Sequence, residues 1–144
     1  MIAYIDTSAL LRIILREPGA LDDLRMYDGL VSSELIAVES ARTIDRLRMQ
    51  GALTMEEAAN RIGAVNDWLE AIDLVLLRPP VLSRAGEPMP MPIGTLDAIH
   101  LSALEFVRAQ KQNVQLASYD ERLLSVARLL GISIWNADEP RQSQ

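Results

Sequence analysis

Ile2-Ala3-Tyr4-Ile5-Asp6-Thr7-Ser8-Ala9-Leu10-Leu11-Arg12-Ile13-Ile14-Leu15 changes its hydrophobic period at one residue. Ile2 to Ile5 is a short apolar run suited to a buried strand. From Leu10 onward the apolar positions Leu10, Leu11, Ile14 and Leu15 fall at helical spacing. The switch comes at Asp6, and Pro18-Gly19 ends the helix.

Outward from this stretch the alternation repeats. A short helical segment is expected at residues 21–26, a turn at Asp28-Gly29 and a strand at Leu30-Val31-Ser32. Residues 34–49 read as a helix closed by Gly51. Thr54 with Glu57 three residues on forms a capping box. It opens a helix with Ala58, Ile62, Val65, Leu69 and Ile72 on one face. Residues 73–77 are a buried-strand candidate. The stretch 84–94 carries Pro88, Pro90 and Pro92 and is expected to be non-helical. Thr95 can cap a helix to about Gln110. Residues 114–117 form a strand, 120–130 a helix ended by Gly131, and 132–135 a last strand. Strands alternating with helices predict a parallel sheet of about five strands covered on both faces, in one domain over residues 1–144.

Composition sets the outer limits. The 144 residues, 49% hydrophobic and 24% charged, suffice for one real core and argue against disorder. With no cysteine there is no disulfide framework and no thiolate metal site, which fits a reducing cytoplasm. The first residues read as neither a signal peptide nor a membrane span, so no membrane association is expected. The net charge of −6 argues against a simple nucleic-acid binder, unless clustered acids hold a cation that reverses the local field.

Four acids stand where such a cluster would form. Asp6 follows the first strand, Asp97 lies in the first turn after Thr95, and Asp120 lies just past the 114–117 strand at the start of the next helix. Glu39 lies on the helix after the second strand. In open α/β sheets the ligand crevice lies beyond the carboxyl ends of the strands, where all four can project. A single acid at a helix start is commonly only a cap. Together they repel: two carboxylates about 5 Å apart cost about 3 kcal/mol at an effective dielectric of about 20. A hard divalent cation removes that penalty, and oxygen-only ligands suit Mg²⁺ or Mn²⁺.

Glu34, five residues before Glu39, points about 140° away on a helix, so both cannot face the site. Glu39 is the favoured one, and Glu34 belongs to the first turn as a dipole partner. His100, the only histidine, shares a side of its helix with Asp97 and reads as a packed side chain rather than a catalyst. Trp68 and Trp135 read as core or interface residues. Arg12 and Arg16, with Arg42 and Arg46, are candidates to guide phosphate.

These blocks resemble the PIN-domain ribonucleases, and most closely the VapC toxins of prokaryotic toxin–antitoxin pairs. The resemblance runs through Tyr4-Ile5-Asp6-Thr7-Ser8-Ala9-Leu10-Leu11 with Leu15-Arg16-Glu17-Pro18-Gly19, then Val31-Ser32-Ser33-Glu34-Leu35-Ile36-Ala37-Val38-Glu39. Thr95-Leu96-Asp97-Ala98-Ile99-His100-Leu101-Ser102-Ala103 is the most specific block, and Ala117-Ser118-Tyr119-Asp120-Glu121-Arg122-Leu123 follows it. In the resemblance the acids fall on Glu39 and Asp120, with Ser118 at the usual hydroxyl position. The extra acid Glu34 is the one departure.

The resemblance implies an α/β/α sandwich, Mg²⁺- or Mn²⁺-dependent RNA cleavage leaving 5′-phosphate and 3′-hydroxyl ends, inhibition by a cognate antitoxin, and homodimerisation. Asp6 and Asp97 would hold the principal cation, Asp120 would complete the site, and Glu39 would orient the water or bind a second ion. The helices over residues 34–72 would form a protruding pair that clips the antitoxin tail. Two rivals stand beside this reading. A phosphatase-like hydrolase using Asp6 as nucleophile would need a second acid where Ser8 stands. The other is a non-catalytic interaction module.

Overall fold

A computed structural model describes residues 1–16, 24 and 27–135. The sheet is four-stranded and parallel throughout, in the order β3-β2-β1-β4. Its strands are β1 (Ile2–Ile5), β2 (Gly29–Ser33), β3 (Ile72–Val75) and β4 (Val114–Ala117). Between and after them run α1 (Thr7–Ile14), α2 (Leu35–Met49), α3 (Met55–Glu70), α4 (Pro79–Ala85), α5 (Thr95–Gln110) and α6 (Glu121–Leu129). The short helix expected at 21–26 lies outside the described residues, apart from Leu24, which is buried.

From β1 the chain steps outward to β2 and β3, then returns to place β4 on the other side of β1. Right-handed crossovers put helices of opposite stepping direction on opposite faces. The packing agrees. Ala9, Leu10 and Ile14 of α1, Ile36 and Ile44 of α2, and Ala58 and Val65 of α3 share one core with Ala3 and Ile5. Val81 of α4, Leu101 and Leu104 of α5, and Leu123 and Val126 of α6 share the other with Tyr4, Val31 and Leu116. Strand side chains alternate between faces, so neighbours Tyr4 and Ile5 enter different cores. This is the expected α/β/α sandwich.

Three expectations need correction. Residues 132–135 add only one parallel bridge, Ile134 to Leu116, so the regular sheet counts four strands. Leu116 N–H donates to the Ser133 carbonyl and Trp135 N–H to the Leu116 carbonyl, both at 2.8 Å, and these bonds satisfy the outer edge of β4 at Leu116. The buried strand expected at 73–77 is instead the edge strand β3 at Ile72–Val75, with Asp73 and Leu74 exposed because no strand covers its outer side. Helix α4 was missed, and it takes in Arg84 and Ala85. Pro79 and Pro80 begin it, where proline's fixed φ and missing N–H cost nothing, and the prolines at 88, 90 and 92 fall beyond its end.

Other boundaries moved slightly. The capping box of α3 is formed by both bonds, Glu57 N–H to the Thr54 hydroxyl and Thr54 N–H to the Glu57 carboxylate. Its helix stops at Glu70, and Ile72 opens β3 instead. Gly94, not Thr95, is the N-cap of α5. Gly51 and Gly131 take positive φ, 77° and 68°, just past α2 and α6, where a side chain would be strained. Trp68 and Trp135 are partly buried against the core that holds α1, α2 and α3.

Candidate active site

The stepping direction reverses at β1, so the ends of β1 and β4 flank the switch point where such sheets bind ligands. Ile5 pairs with Ala117, which brings the next residues, Asp6 and Ser118, side by side. Asp6 caps α1: its Oδ1 accepts from Ala9 N–H at 3.0 Å and from the Ser8 hydroxyl at 2.7 Å. Its Oδ2 accepts from the Ser118 hydroxyl at 2.6 Å. The two serines are themselves 3.3 Å apart, and Ser8 Oγ accepts from Tyr119 N–H. Asp6 is 4% exposed. Burial raises its carboxyl above the ordinary range, against Ser118, Ser8, Ala9 and His100.

Asp120 caps α6, its Oδ1 accepting from Leu123 N–H at 2.9 Å, while its own N–H donates to Ser118 Oγ. One serine thus ties two of the acids to the end of β4. Asp97 is the third residue of α5 and is half-buried. Among the described residues no hydrogen bond or ion pair falls on it. Burial, then the charges of Asp120 and Asp6, raise its carboxyl; His100 opposes this and Glu39 adds to it. The Asp97 carboxyl therefore feels all three of the other acids.

Glu39 reaches the same end from α2. Its Oε1 accepts from the Thr7 hydroxyl at 2.8 Å and from His100 Nε2 at 2.6 Å. Burial works to raise this carboxyl, but the bond and charge interaction with His100 and the Thr7 bond outweigh it, and Glu39 titrates below its ordinary range. Glu34 goes elsewhere: its Oε2 accepts from Leu77 N–H at 2.8 Å, and its own N–H donates to the Val75 carbonyl. It fastens the exit of β3 and leaves the site to Glu39.

His100 is packed as expected, 3% exposed, yet both ring nitrogens are engaged. Nδ1 lies 2.9 Å from the Tyr4 hydroxyl, and the two rings meet edge to face at 83°. Burial pushes the Tyr4 phenol up, against the hydroxyls of Ser33 and Ser32. Thr7, Ser8 and Tyr4 are participants that the sequence reading did not single out. A hydroxyl within two residues of a helix-capping aspartate, and a tyrosine in a buried strand needing a partner for its O–H, were the available signals.

The arginine candidates divide. The Arg12 guanidinium lies 4.0 Å from the centre of the Tyr119 ring, beside Asp120 in sequence. Arg42 is exposed and paired with Asp45, and Arg46 donates to Thr43 one turn back. Arg16 is exposed, past the end of α1.

The donor set suits a hard cation. Among the described residues no group of three or more Asp, Glu, His or Cys side chains is placed to hold a metal ion. Mg²⁺ does not require one, because it is commonly held by one or two carboxylates with waters completing its shell. A half-buried Asp97 with no hydrogen bond among the described residues, repelled by three neighbours, is the carboxylate such an ion would neutralise.

Comparison with known proteins gives a consistent picture. The family model described as PIN domain matches residues 3–129. Over 138 residues the chain is 33% identical to Ribonuclease VapC46 of Mycobacterium tuberculosis (strain ATCC 25618 / H37Rv), covering 91% of this chain and 94% of that protein. Over 136 residues it is 30% identical to Ribonuclease VapC47 of Mycobacterium tuberculosis (strain CDC 1551 / Oshkosh), with 89% and 91% covered. In fold it is similar to a chain in the crystal structure of VapBC2 from Rickettsia felis bound to a DNA fragment from their promoter. That match has a TM-score of 0.64 at 15% identity and covers 94% of this chain and 98% of that one.

Proposed function

Because the chain belongs to the PIN-domain family, and within it to the VapC-type ribonucleases, we propose that it hydrolyses RNA phosphodiester bonds as the toxin of a toxin–antitoxin pair. Asp6, Glu39, Asp97 and Asp120 carry the chemistry, and Mg²⁺ or Mn²⁺ is the cofactor. What supports this reading is that Asp6 and Asp120 lie just past the ends of β1 and β4, both bonded to Ser118, while the Asp97 carboxyl, with no hydrogen bond among the described residues, is raised by burial and by the charges of Asp120, Asp6 and Glu39.

Asp6 and Asp97 would hold the cation, with Asp120 completing the site. When bound, the ion supplies a water of lowered pKa and stabilises charge on the reacting phosphate. Ser8 and Ser118 fix both oxygens of Asp6, so its carboxylate enters the site in one orientation. Thr7 and His100 both load Oε1 of Glu39, and Oε2 carries no hydrogen bond among the described residues. That oxygen is the one available to orient an attacking water and take its proton.

The proposed partners are an RNA substrate, a cognate antitoxin and a second copy of the chain. The apolar groove of Leu82, Met89, Met91, Ile93 and Ile99 takes in Thr95 and Ala98 at the start of α5, and suits an apolar anchor of the antitoxin. Among the described residues no helix is long and apolar enough to cross a membrane.

The test is cleavage of RNA by purified protein with and without Mg²⁺, beside calorimetric Mg²⁺ titration. Asp6→Asn and Asp97→Asn should each lose at least about 100-fold in rate, as removal of a charge-stabilising group does, and should bind Mg²⁺ more weakly. Full activity in either folded variant would sink the reading.

A further inference from the structure

We propose that His100 is a positioning residue for Glu39. Held from behind by Tyr4, it presents Nε2–H to Oε1 and turns Oε2 toward the reacting water. The inference rests on the ribonuclease reading for its consequence, and on geometry alone for the hydrogen-bond chain.

The chain runs through four elements. Tyr4 stands on β1, His100 on α5, Glu39 on α2 and Thr7 on α1. Helices α5 and α2 pack in different cores on opposite faces of the sheet, so the 2.6 Å bond from His100 to Glu39 joins the two helical layers. An ionised carboxylate only accepts, so Nε2 must carry the hydrogen of that bond. In the neutral ring Nδ1 is then an acceptor, and the Tyr4 hydroxyl at 2.9 Å is its donor. Buried polar groups persist when each has a partner, and with the ring neutral one arrangement gives the His100 N–H and the Tyr4 O–H an acceptor each. The direction is therefore Tyr4 O–H to Nδ1, then Nε2–H to Oε1.

The burial of the ring fixes its angle. His100 is 3% exposed, stands on the helix that buries Leu101, Ala103 and Leu104, and meets Tyr4 edge on. Glu39 otherwise swings on a flexible stem, and Thr7 alone constrains one bond of it. Two donors on one oxygen define the carboxylate plane, which is what a water-orienting group requires. Partners that orient catalytic ligands in this way are commonly worth about 10- to 100-fold in activity.

Because His100 is the only histidine, its ring nitrogens can be read directly by ¹⁵N NMR in the metal-free protein at alkaline pH. The expected spectrum is the Nε2–H tautomer, with Glu39→Gln shifting the Nε2 signal and Tyr4→Phe shifting Nδ1. In cleavage assays His100→Leu should lower kcat about 10- to 100-fold with KM little changed. His100→Gln, whose amide can accept from Tyr4 and donate to Glu39, should recover most of the rate even if it melts no higher than His100→Leu. An Nδ1–H tautomer would overturn the proposal. So would a folded His100→Leu protein with unchanged kcat, or recovery that follows melting temperature and not the amide. If wild-type protein cleaves no RNA, the ribonuclease reading fails, while the tautomer and its response to Glu39→Gln still decide the positioning chain.

Discussion

Asp97 and Glu39 show how one neighbourhood moves two carboxyls in opposite directions. Asp97 is raised by burial and by Asp120, Asp6 and Glu39; Glu39, also pressed upward by burial, is carried below its ordinary range by His100 and Thr7. A raised carboxyl contributes stability that is full below its unfolded value, near 3.8, and is lost as pH rises through the higher folded value. A lowered one contributes above its unfolded value, near 4.5, and loses it as pH falls through the folded value. Metal-free Asp97→Asn should therefore melt above the wild type at neutral pH, with the gap closing as pH falls through the raised Asp97 value. Thermal melts across that range in a chelator check it, and a gap that widens toward acid would contradict the assignment. Saturating Mg²⁺ should reverse the order, since only the wild type keeps the full carboxylate set.

At the scale of elements, the site is built from helix starts. Asp6 and Asp120 are each both a helix cap and a proposed site acid, so the geometry that ends a strand and begins a helix also aims the carboxylate. This double duty can be separated. Asparagine caps a helix about as well as aspartate, whereas alanine in its place costs about 1 kcal/mol. Asp120→Asn should lose cleavage while unfolding in denaturant near the wild-type midpoint; Asp120→Ala should lose cleavage and about 1 kcal/mol besides. Equal destabilisation by both would show that the cap bond to Leu123 is not the stabilising contact. Glu34 illustrates the reverse case: it sits at the start of α2 without a side-chain cap bond and serves β3 instead, by holding Leu77 N–H.

For the whole molecule, charge is the governing quantity. A chain with a net charge of −6 gains little long-range attraction for RNA, so on the proposed reading binding would rest on a cation and on local arginines such as Arg12. The same acids without a cation should attract a cationic side chain from the antitoxin. The cognate antitoxin tail and Mg²⁺ should then compete, and saturating Mg²⁺ should weaken the tail by about 10-fold or more, in line with couplings of 1–3 kcal/mol. Calorimetry in the presence and absence of Mg²⁺ measures this directly. Unchanged affinity, in the wild type and in Asp97→Asn alike, would place inhibition elsewhere.

The switch of period at Asp6, the capping box at Thr54 and the alternation of strands with helices were legible because they depend on neighbours in the chain. So were the positions of the four candidate acids in the fold, since each lies at a fixed offset from a strand end or along a helix. The edge position of β3 was not legible, because a short, largely apolar strand reads alike in the middle of a sheet and at its edge. Nor was α4, because the prolines at 88, 90 and 92 made the stretch from Arg84 read as non-helical, although they fall beyond the helix end. The sequence by itself determined the layers and the candidate acids, through periodicities that act over a few residues. Only the tertiary structure decided that Glu34 leaves the site for Leu77 while Glu39 meets His100 and Thr7. The reason is physical: those partners come from positions 32 to 61 residues away, and only the folded sheet brings their donors within hydrogen-bond reach.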